Sequence, residues 1–286
     1  MNTNSNTYTV IYATVLVVVV AAVLAFVSYT LAPKQEANRQ NEVRTQLLAS
    51  VGIKDVTDAK QAYDKYFTDS FLVNSKGETV EGDAFAVAMS LKEQNDKIRA
   101  NRTAEATLPV FICTFDDGSK AQVFAAYGAG LWGPIWGYIS VDASDMNTVK
   151  GAVFDHKGET PGLGAEIAQP WFTGNFIGKK LFEGEQFTSI KVVKGGAAPD
   201  DIHGVDAITG GTITSRSLEN TLSNWLTIYL PYIQTQKSRL AALCALENEV
   251  CPDCCAADST CTGECAEHAQ GGCCDKCQTE KSEEVK

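Results

Sequence analysis

Positive charge is scarce in this chain. Its 286 residues carry 24 Lys and Arg against 35 Asp and Glu, a net charge of −11. Holding a phosphate backbone requires a basic face, which argues against a nucleic-acid partner. The deficit is uneven, because residues 251–286 hold eight Asp/Glu and only three Lys. Large apolar residues are almost absent from about Cys244 onward, where nine of the ten cysteines lie. Such a segment cannot bury a core of its own without cross-links or metal. Residues 1–33 lack charge of either sign.

That last absence marks an anchor. Residues 10–31 read VIYATVLVVVVAAVLAFVSYTL, an almost unbroken apolar run. At about 1.5 Å per residue it reaches roughly 33 Å, enough to cross a hydrocarbon core. A cleaved signal peptide is the competing reading, but MNTNSNTYT supplies no Lys or Arg, and the apolar run exceeds about 15 residues. Tyr12 and Tyr29 stand near the ends, as interfacial aromatics do. Lys34, Arg39 and Arg44 follow the run, interleaved with Glu36 and Glu42. Taken alone, these three cations place the following domain in the cytoplasm.

The division is into residues 1–9 as a tail, 10–32 as the membrane helix, and 33–105 as a stalk with the first part of the soluble domain. Residues 106–235 form the main domain and 236–286 an acidic, Cys-rich tail. Val43, Leu47 and Leu48 have helical spacing in the stalk. A second helix is expected over 55–67, then a strand at 71–74 and a turn at Ser75–Gly77. Further strands are expected at 108–115, 121–127, 135–141, 149–155 and 187–193. A helix over 217–229 follows, with Leu218, Leu222, Trp225, Leu226 and Tyr229 on one face and Pro231 as its limit. The order implies an α+β domain, a largely antiparallel sheet with flanking helices, preceded by one transmembrane helix.

Gly128-Ala-Gly130-Leu-Trp-Gly133 matches GxGxxG, but that pattern binds dinucleotides only where its glycines open a helix. Here Pro134 and IWGYISV follow, which read as strand, and no suitable acidic residue comes about 20 residues later. The chain is not expected to bind NADH directly.

The chemistry lies elsewhere. Asp206-Ala-Ile-Thr209-Gly210-Gly211-Thr212-Ile-Thr214-Ser215 places hydroxyls around a Gly-Gly pair ahead of an amphipathic helix. On local grounds it is either a Ser/Thr helix cap or an anion site at a helix N-terminus. The segment resembles the S/T-G-A-T flavinylation motif of the FMN-binding domains in bacterial ion-pumping electron-transfer complexes. The resemblance implies FMN as the cofactor, joined covalently to Thr212 by a phosphoester. It also implies a flavin transferase, using FAD as donor, that recognises Asp206, Thr209, Gly210 and Thr212. Gly211 stands where the family usually has Ala. Thr214 and Ser215, a little further on, are then placed to hydrogen-bond the phosphate.

His156-Lys-Gly-Glu159-Thr160-Pro161-Gly162-Leu163-Gly164 resembles the family's ETPGLG signature, which implies that Glu159, Thr160, Gly162, Leu163 and Gly164 lie against the isoalloxazine ring. Read locally, it is a Pro-Gly turn with a charged rim, and Glu159 and His156 are as readily solvated as functional. Gly130-Leu-Trp132-Gly-Pro-Ile-Trp136-Gly-Tyr138 is similar to the GLWGPIWGY of the third subunit of Na+-translocating NADH:quinone oxidoreductases. The related G subunit of Rnf complexes shares the anchor and flavin motifs and normally lacks this Trp-rich strand pair. Trp132, Trp136, Trp171 and Phe172 are core packing or flavin wall.

The resemblance covers about residues 8–235. It implies an electron-transfer subunit with other membrane subunits as partners, held in the bacterial inner membrane by a single span with its soluble domain in the periplasm. It assigns the chain no general acid or base. An Rnf-type G subunit and a non-redox anchored binding module are the alternatives. In the tail, Cys251, Cys254, Cys255, Cys261, Cys265, Cys273, Cys274 and Cys277 have metal-like spacing, against disulfide-linked or disordered readings.

Overall fold

The computed structural model describes residues 6–250. A helix α1 (Asn6–Ser50) opens the chain. It joins the apolar run and the stalk into one element despite Pro33 within it. Proline removes one hydrogen bond, at about 3 kcal/mol, but the Lys, Gln, Glu, Ala and Arg that follow are good helix formers and the helix resumes. α2 (Ala59–Tyr66) is capped by Asp58, whose Oδ1 accepts the amides of Lys60 and Gln61. β1 (Phe67–Val73) and β2 (Thr79–Val80) form a hairpin. α3 (Ala84–Met89) and α4 (Leu91–Arg99) follow, two short helices with no counterpart in the sequence expectations.

The sheet is completed by β3 (Leu108–Thr114), β4 (Lys120–Ala129), β5 (Pro134–Asp142) and β6 (Val149–His156). Its order is β2-β1-β3-β4-β5-β6, with every pairing antiparallel. The α+β architecture is therefore as the sequence implies. Short elements connect the sheet to the last helix: α5 (Pro170–Thr173), β7 (Phe182–Glu183), β8 (Gln186–Phe187), β9 (Lys191–Val193) and β10 (Gly204–Asp206). The strand expected at 187–193 is split, because Ser189 takes a positive φ of 62° and turns the chain. β9 and β10 pair in parallel, the exception to the antiparallel rule.

α6 (Thr212–Val250) starts five residues earlier than expected and runs past Pro231. Tertiary anchors hold it on both sides of that proline. The Trp225 indole donates to Tyr127 O at 2.7 Å and the Tyr229 hydroxyl to Pro109 O at 2.8 Å. Beyond Pro231, the Tyr232 hydroxyl donates to Gln122 Oε1 at 2.9 Å.

The two long helices take opposite faces of the sheet. Phe124 packs against Tyr229 of α6, with ring centroids 4.9 Å apart, and Phe124 pairs with Ile139. Side chains alternate along a strand, so Trp136 and Ser140 point the other way, toward α1. There the Trp136 indole donates to Gln46 Oε1 and Ser140 Oγ to Ser50 O. Both faces of β4 and β5 are thus covered, which is why their central residues are buried without polar alternation.

Tyr138, Tyr229 and Tyr232 are buried in this core. Burial disfavours the phenolate, raising all three; Tyr232 is pushed up from 10.0 to about 12. A raised pKa in the folded state leaves stability intact below the ordinary value and removes it as pH climbs toward the folded one. Thermal melts should therefore hold steady to about pH 9 and fall by several degrees per unit between about 10 and 12. A Tm unchanged across that window would show that these phenols ionise without unfolding.

Candidate functional site

Three segments meet at one buried carboxylate. Glu159, in the loop after β6, is 4% exposed. Its Oε1 accepts the Trp132 amide at 2.8 Å, and its Oε2 accepts Thr214 Oγ1 at 2.6 Å. Glycines make the room: a Cβ on Gly130 would stand 2.5 Å from Oε1, and one on Gly164 would collide with Oε2 and with Thr214. Among the described residues no Lys or Arg pairs with Glu159. Its charge is met by the amide, the hydroxyl and the positive end of α6. The solvated-rim reading of Glu159 is thereby corrected; the carboxylate is an internal brace.

The GxGxxG glycines lie in a hairpin rather than at a helix start. Gly128 is near the end of β4, the Gly130 amide donates to Gly133 O at 2.7 Å, and Pro134 opens β5. The loop over 159–164 closes on itself: Thr160 O accepts the amides of Leu163 and Ala165, and the Gly162 amide donates to Glu166 Oε1 at 3.1 Å. Glu166 also accepts from the Trp171 indole. Thr160, Pro161, Gly162 and Leu163 are exposed. His156 Nδ1 accepts the Glu159 amide at 3.3 Å. Of the aromatic residues, Trp132 and Trp171 are exposed, Trp136 lies against α1, and Phe172 packs in the core against Phe154 and Phe176.

The hydroxyls of the Thr-rich segment divide. Residues two apart on a helix point about 200° apart, so Thr212 and Thr214 face opposite ways. Thr214 turns inward to Glu159, and Ser215 Oγ accepts the Ile208 amide at 3.1 Å. Both are buried and already engaged, Thr214 on the Glu159 side and Ser215 at the wall of the cleft that Thr212 opens onto. Thr209 and Asp206 are exposed and Thr212 is half-buried, while Asp206 Oδ1 accepts the Ala197 amide at 2.7 Å. The loops are in contact here: a Cβ on Gly211 would lie 3.0 Å from Ile208 Cγ2 and 3.2 Å from the Leu163 carbonyl carbon. The missing methyl lets the 159–164 loop sit closer to the helix start.

Thr212 opens onto a cleft of about 310 Å³ lined by Val192, Lys194, Ala207, Ser215, Arg216, Glu219 and Asn220. The Glu219 carboxylate is held by the Val192 amide at 3.1 Å. Lys194 and Arg216 form no ion pair among the described residues. The first helical amides have no intrahelical acceptor and point toward the same end. Two cations, free amides and a hydroxyl are a donor set that fits a phosphate monoester. The sequence expectations missed both cations. Arg216 was visible in principle, four residues after Thr212 and so one turn along the same face.

Residues 130–227, from the β4–β5 turn into the first half of α6, match the FMN-binding domain family. NqrC, a component of the Na(+)-translocating NADH-quinone reductase, is 30% identical in Vibrio anguillarum over 236 residues, 79% of this chain and 92% of that one. The chain belongs to the NqrC family. The Haemophilus ducreyi relative is 29% identical over 84% of this chain and 98% of its own length. Among solved structures, the NqrC from Parabacteroides distasonis is 44% identical, covering 71% of this chain and 96% of that one with a TM-score of 0.63. Shewanella oneidensis NqrC is 28% identical, covering 72% of this chain and 99% of that one with a TM-score of 0.59. The matched residues 130–227 take in the turn, the loop and the helix start that converge on Glu159. The cysteine positions Cys251, Cys254, Cys255, Cys261, Cys265, Cys273, Cys274 and Cys277 lie outside the described residues.

Glu159→Ala leaves the Trp132 amide and the Thr214 hydroxyl without their acceptor in a buried site, and should cost about 2–4 kcal/mol. Glu159→Gln keeps an oxygen for the amide, with an expected cost of about 1 kcal/mol. Urea unfolding of the flavin-free chain measures both. Equal stabilities for Ala and wild type would remove the brace.

Proposed function

We propose that this chain is the flavin-carrying electron-transfer subunit of a membrane Na+-pumping NADH:quinone oxidoreductase, with FMN joined to Thr212 by a phosphoester. The observation that carries this reading is the Thr212 hydroxyl at a helix N-terminus, in a cleft shared with the unpaired Lys194 and Arg216. Bound FMN supplies a carrier that accepts and passes on single electrons. The chain's residues do the rest. In maturation the Thr212 hydroxyl would form the bond to the FMN phosphorus as the pyrophosphate bond of the FAD donor breaks, with AMP and the hydroxyl proton released. Lys194, Arg216 and the first amides of α6 offset the remaining phosphate charge.

Maturation requires an external transferase to reach the segment, and Asp206, Thr209 and Gly210 are exposed for it. The 159–164 loop, with Thr160, Gly162 and Leu163 at the surface, is positioned by Glu159 to meet the ring, while Gly164 is buried beneath it. Backbone and hydroxyl groups at a ring edge set a flavin's potential by favouring one charge state. α1 supplies the anchor, since its apolar run is long enough to span a bilayer. The span carries no charged side chain, so Na+ takes its path through other subunits. The family places such a domain on the periplasmic side of the inner membrane, and we adopt that orientation against the three flanking cations.

The test is mass spectrometry of the peptide containing Thr212, from cells that also express a flavin transferase. The wild type should gain one FMN less one water and fluoresce in a denaturing gel; Thr212→Ala should be dark, and Thr212→Ser should retain the group. An unmodified wild-type peptide would leave a non-redox anchored module instead. Replacing Lys194 and Arg216 together with Gln should slow flavin incorporation by about tenfold, roughly 1.4 kcal/mol of transition-state stabilisation. Time-resolved in-gel fluorescence would read it, and an unchanged rate would remove both cations from the phosphate site.

A further inference from the structure

Beyond α1, eight large apolar side chains are exposed among the described residues, and five of them gather around Glu159. Leu131 and Trp132 belong to the turn whose amide Glu159 holds. Leu163 is next to Gly164, and Ile213 next to Thr214. Trp171 is tied to Gly162 through Glu166. Trp132 is 69% exposed and Trp171 54%. Such a concentration of large apolar groups at one end of a domain marks an interaction surface.

The anchor shows which way this end faces. Ser50 of α1 lies at Ser140 and beside Gly151, while Gln46 meets Trp136 and Asp155. Ser140 pairs with Gly151, and Trp136 with Asp155. Traced back from Ser50, α1 therefore moves toward the first residue of β5 and leaves the sheet past the Leu131–Trp132 turn. From Arg39, which still reaches Met89 O, the helix needs about 12 Å to arrive at Leu31 and the apolar span. The apolar patch lies at the membrane-proximal end. The far end carries Asp116, Asp117, Asp142 and Asp145 in its turns.

We propose that this patch is the docking face for a membrane-embedded protein neighbour, whose own contact surface is apolar. The proposal rests on the reading of this chain as one subunit of a membrane complex. Lipid is the less suitable occupant. A lipid-binding face sets Lys and Arg around its apolar side chains to meet anionic headgroups. The loops here offer Lys157 against Glu166, in a chain of net charge −11, and the other two cations at this end, Lys194 and Arg216, line the Thr212 cleft, where the proposed function assigns them to the flavin phosphate. Trp and Leu with few charges form the core of a protein interface. A carrier held by Thr212 at this end is then brought close to the next redox centre by the same contact.

The experiment places a photo-crosslinking phenylalanine analogue in place of Leu131, and separately in place of Asp117, in the full chain within its assembled complex. Leu131 should give an adduct with a multi-span subunit of that complex, at about ten times the yield from Asp117. Adducts with lipid alone, or equal yields from both positions, overturn the proposal. The double variant Leu131→Ser with Trp171→Ser should keep its melting temperature, lose most of its association with the solubilised complex, and still carry flavin on the Thr212 peptide. Full retention in the complex also overturns it. A wild-type peptide without flavin that still crosslinks from Leu131 would sink the cofactor reading and leave the docking face standing.

Discussion

A single buried carboxylate organises the functional end of this molecule. An ion with no cation beside it is costly to bury, and the cost falls only when each oxygen finds a donor. Glu159 obtains one donor from the β4–β5 turn and one from the first turn of α6, while its own backbone belongs to the third segment. The β5–β6 ladder and the Trp225 bond to Tyr127 O bring these segments near one another, and the two bonds to Glu159 tie their ends together. Satisfying the charge fixes all three relative to each other. Gly130 and Gly164 are consequences of that demand, since any side chain there would occupy the space of the oxygens.

The brace also sorts the hydroxyls. Thr214 is drawn inward by Glu159, and helical geometry then turns Thr212 outward into the cleft with Arg216 on its own face. Ser215 is held by the backbone at Ile208. Of the hydroxyls inside the first turn, Thr212 alone is left both accessible and close to the helix amides. On the proposed attachment, selection of Thr212 among its neighbours needs no special property of its side chain, only the fixed rotation of the helix about the Glu159 contact.

Much of this was legible in the sequence, and the exceptions have identifiable causes. The strands from Leu108 to His156 are visible because β-branched and aromatic runs alternate with polar turns, and the IWGYISV run after Pro134 reads as strand behind the GxGxxG match. The continuation of α6 past Pro231 was not legible, because proline's local cost is outweighed by an anchor distant in sequence, Tyr232 on Gln122. The Thr-rich segment was recognisable from its residues, yet which hydroxyls point outward depends on Glu159, 55 residues upstream of Thr214. Glu159 could be read from the sequence as solvated or as functional, because nothing local reveals that Trp132 and Thr214 will close over it. Lys194 enters the cleft from the end of β9, whose parallel partner β10 is set by tertiary packing.

The shape of the site is consistent with the proposed covalent attachment. Noncovalent cofactor sites are commonly about 300–1,000 Å³ and enclose most of their ligand. The cleft beside Thr212, at about 310 Å³, is at the small end of that range, and the loop that would meet the ring presents exposed Thr160, Pro161 and Leu163. An open rim encloses less of a ligand than a deep pocket does, and contacts alone then contribute less to its retention. A phosphoester to Thr212 would offset this, because the tether keeps the effective concentration of the ring high whatever the rim contributes. On the proposed reading the loop surface stays open toward the anchor side, where a deep pocket would separate the ring from a neighbour in the membrane.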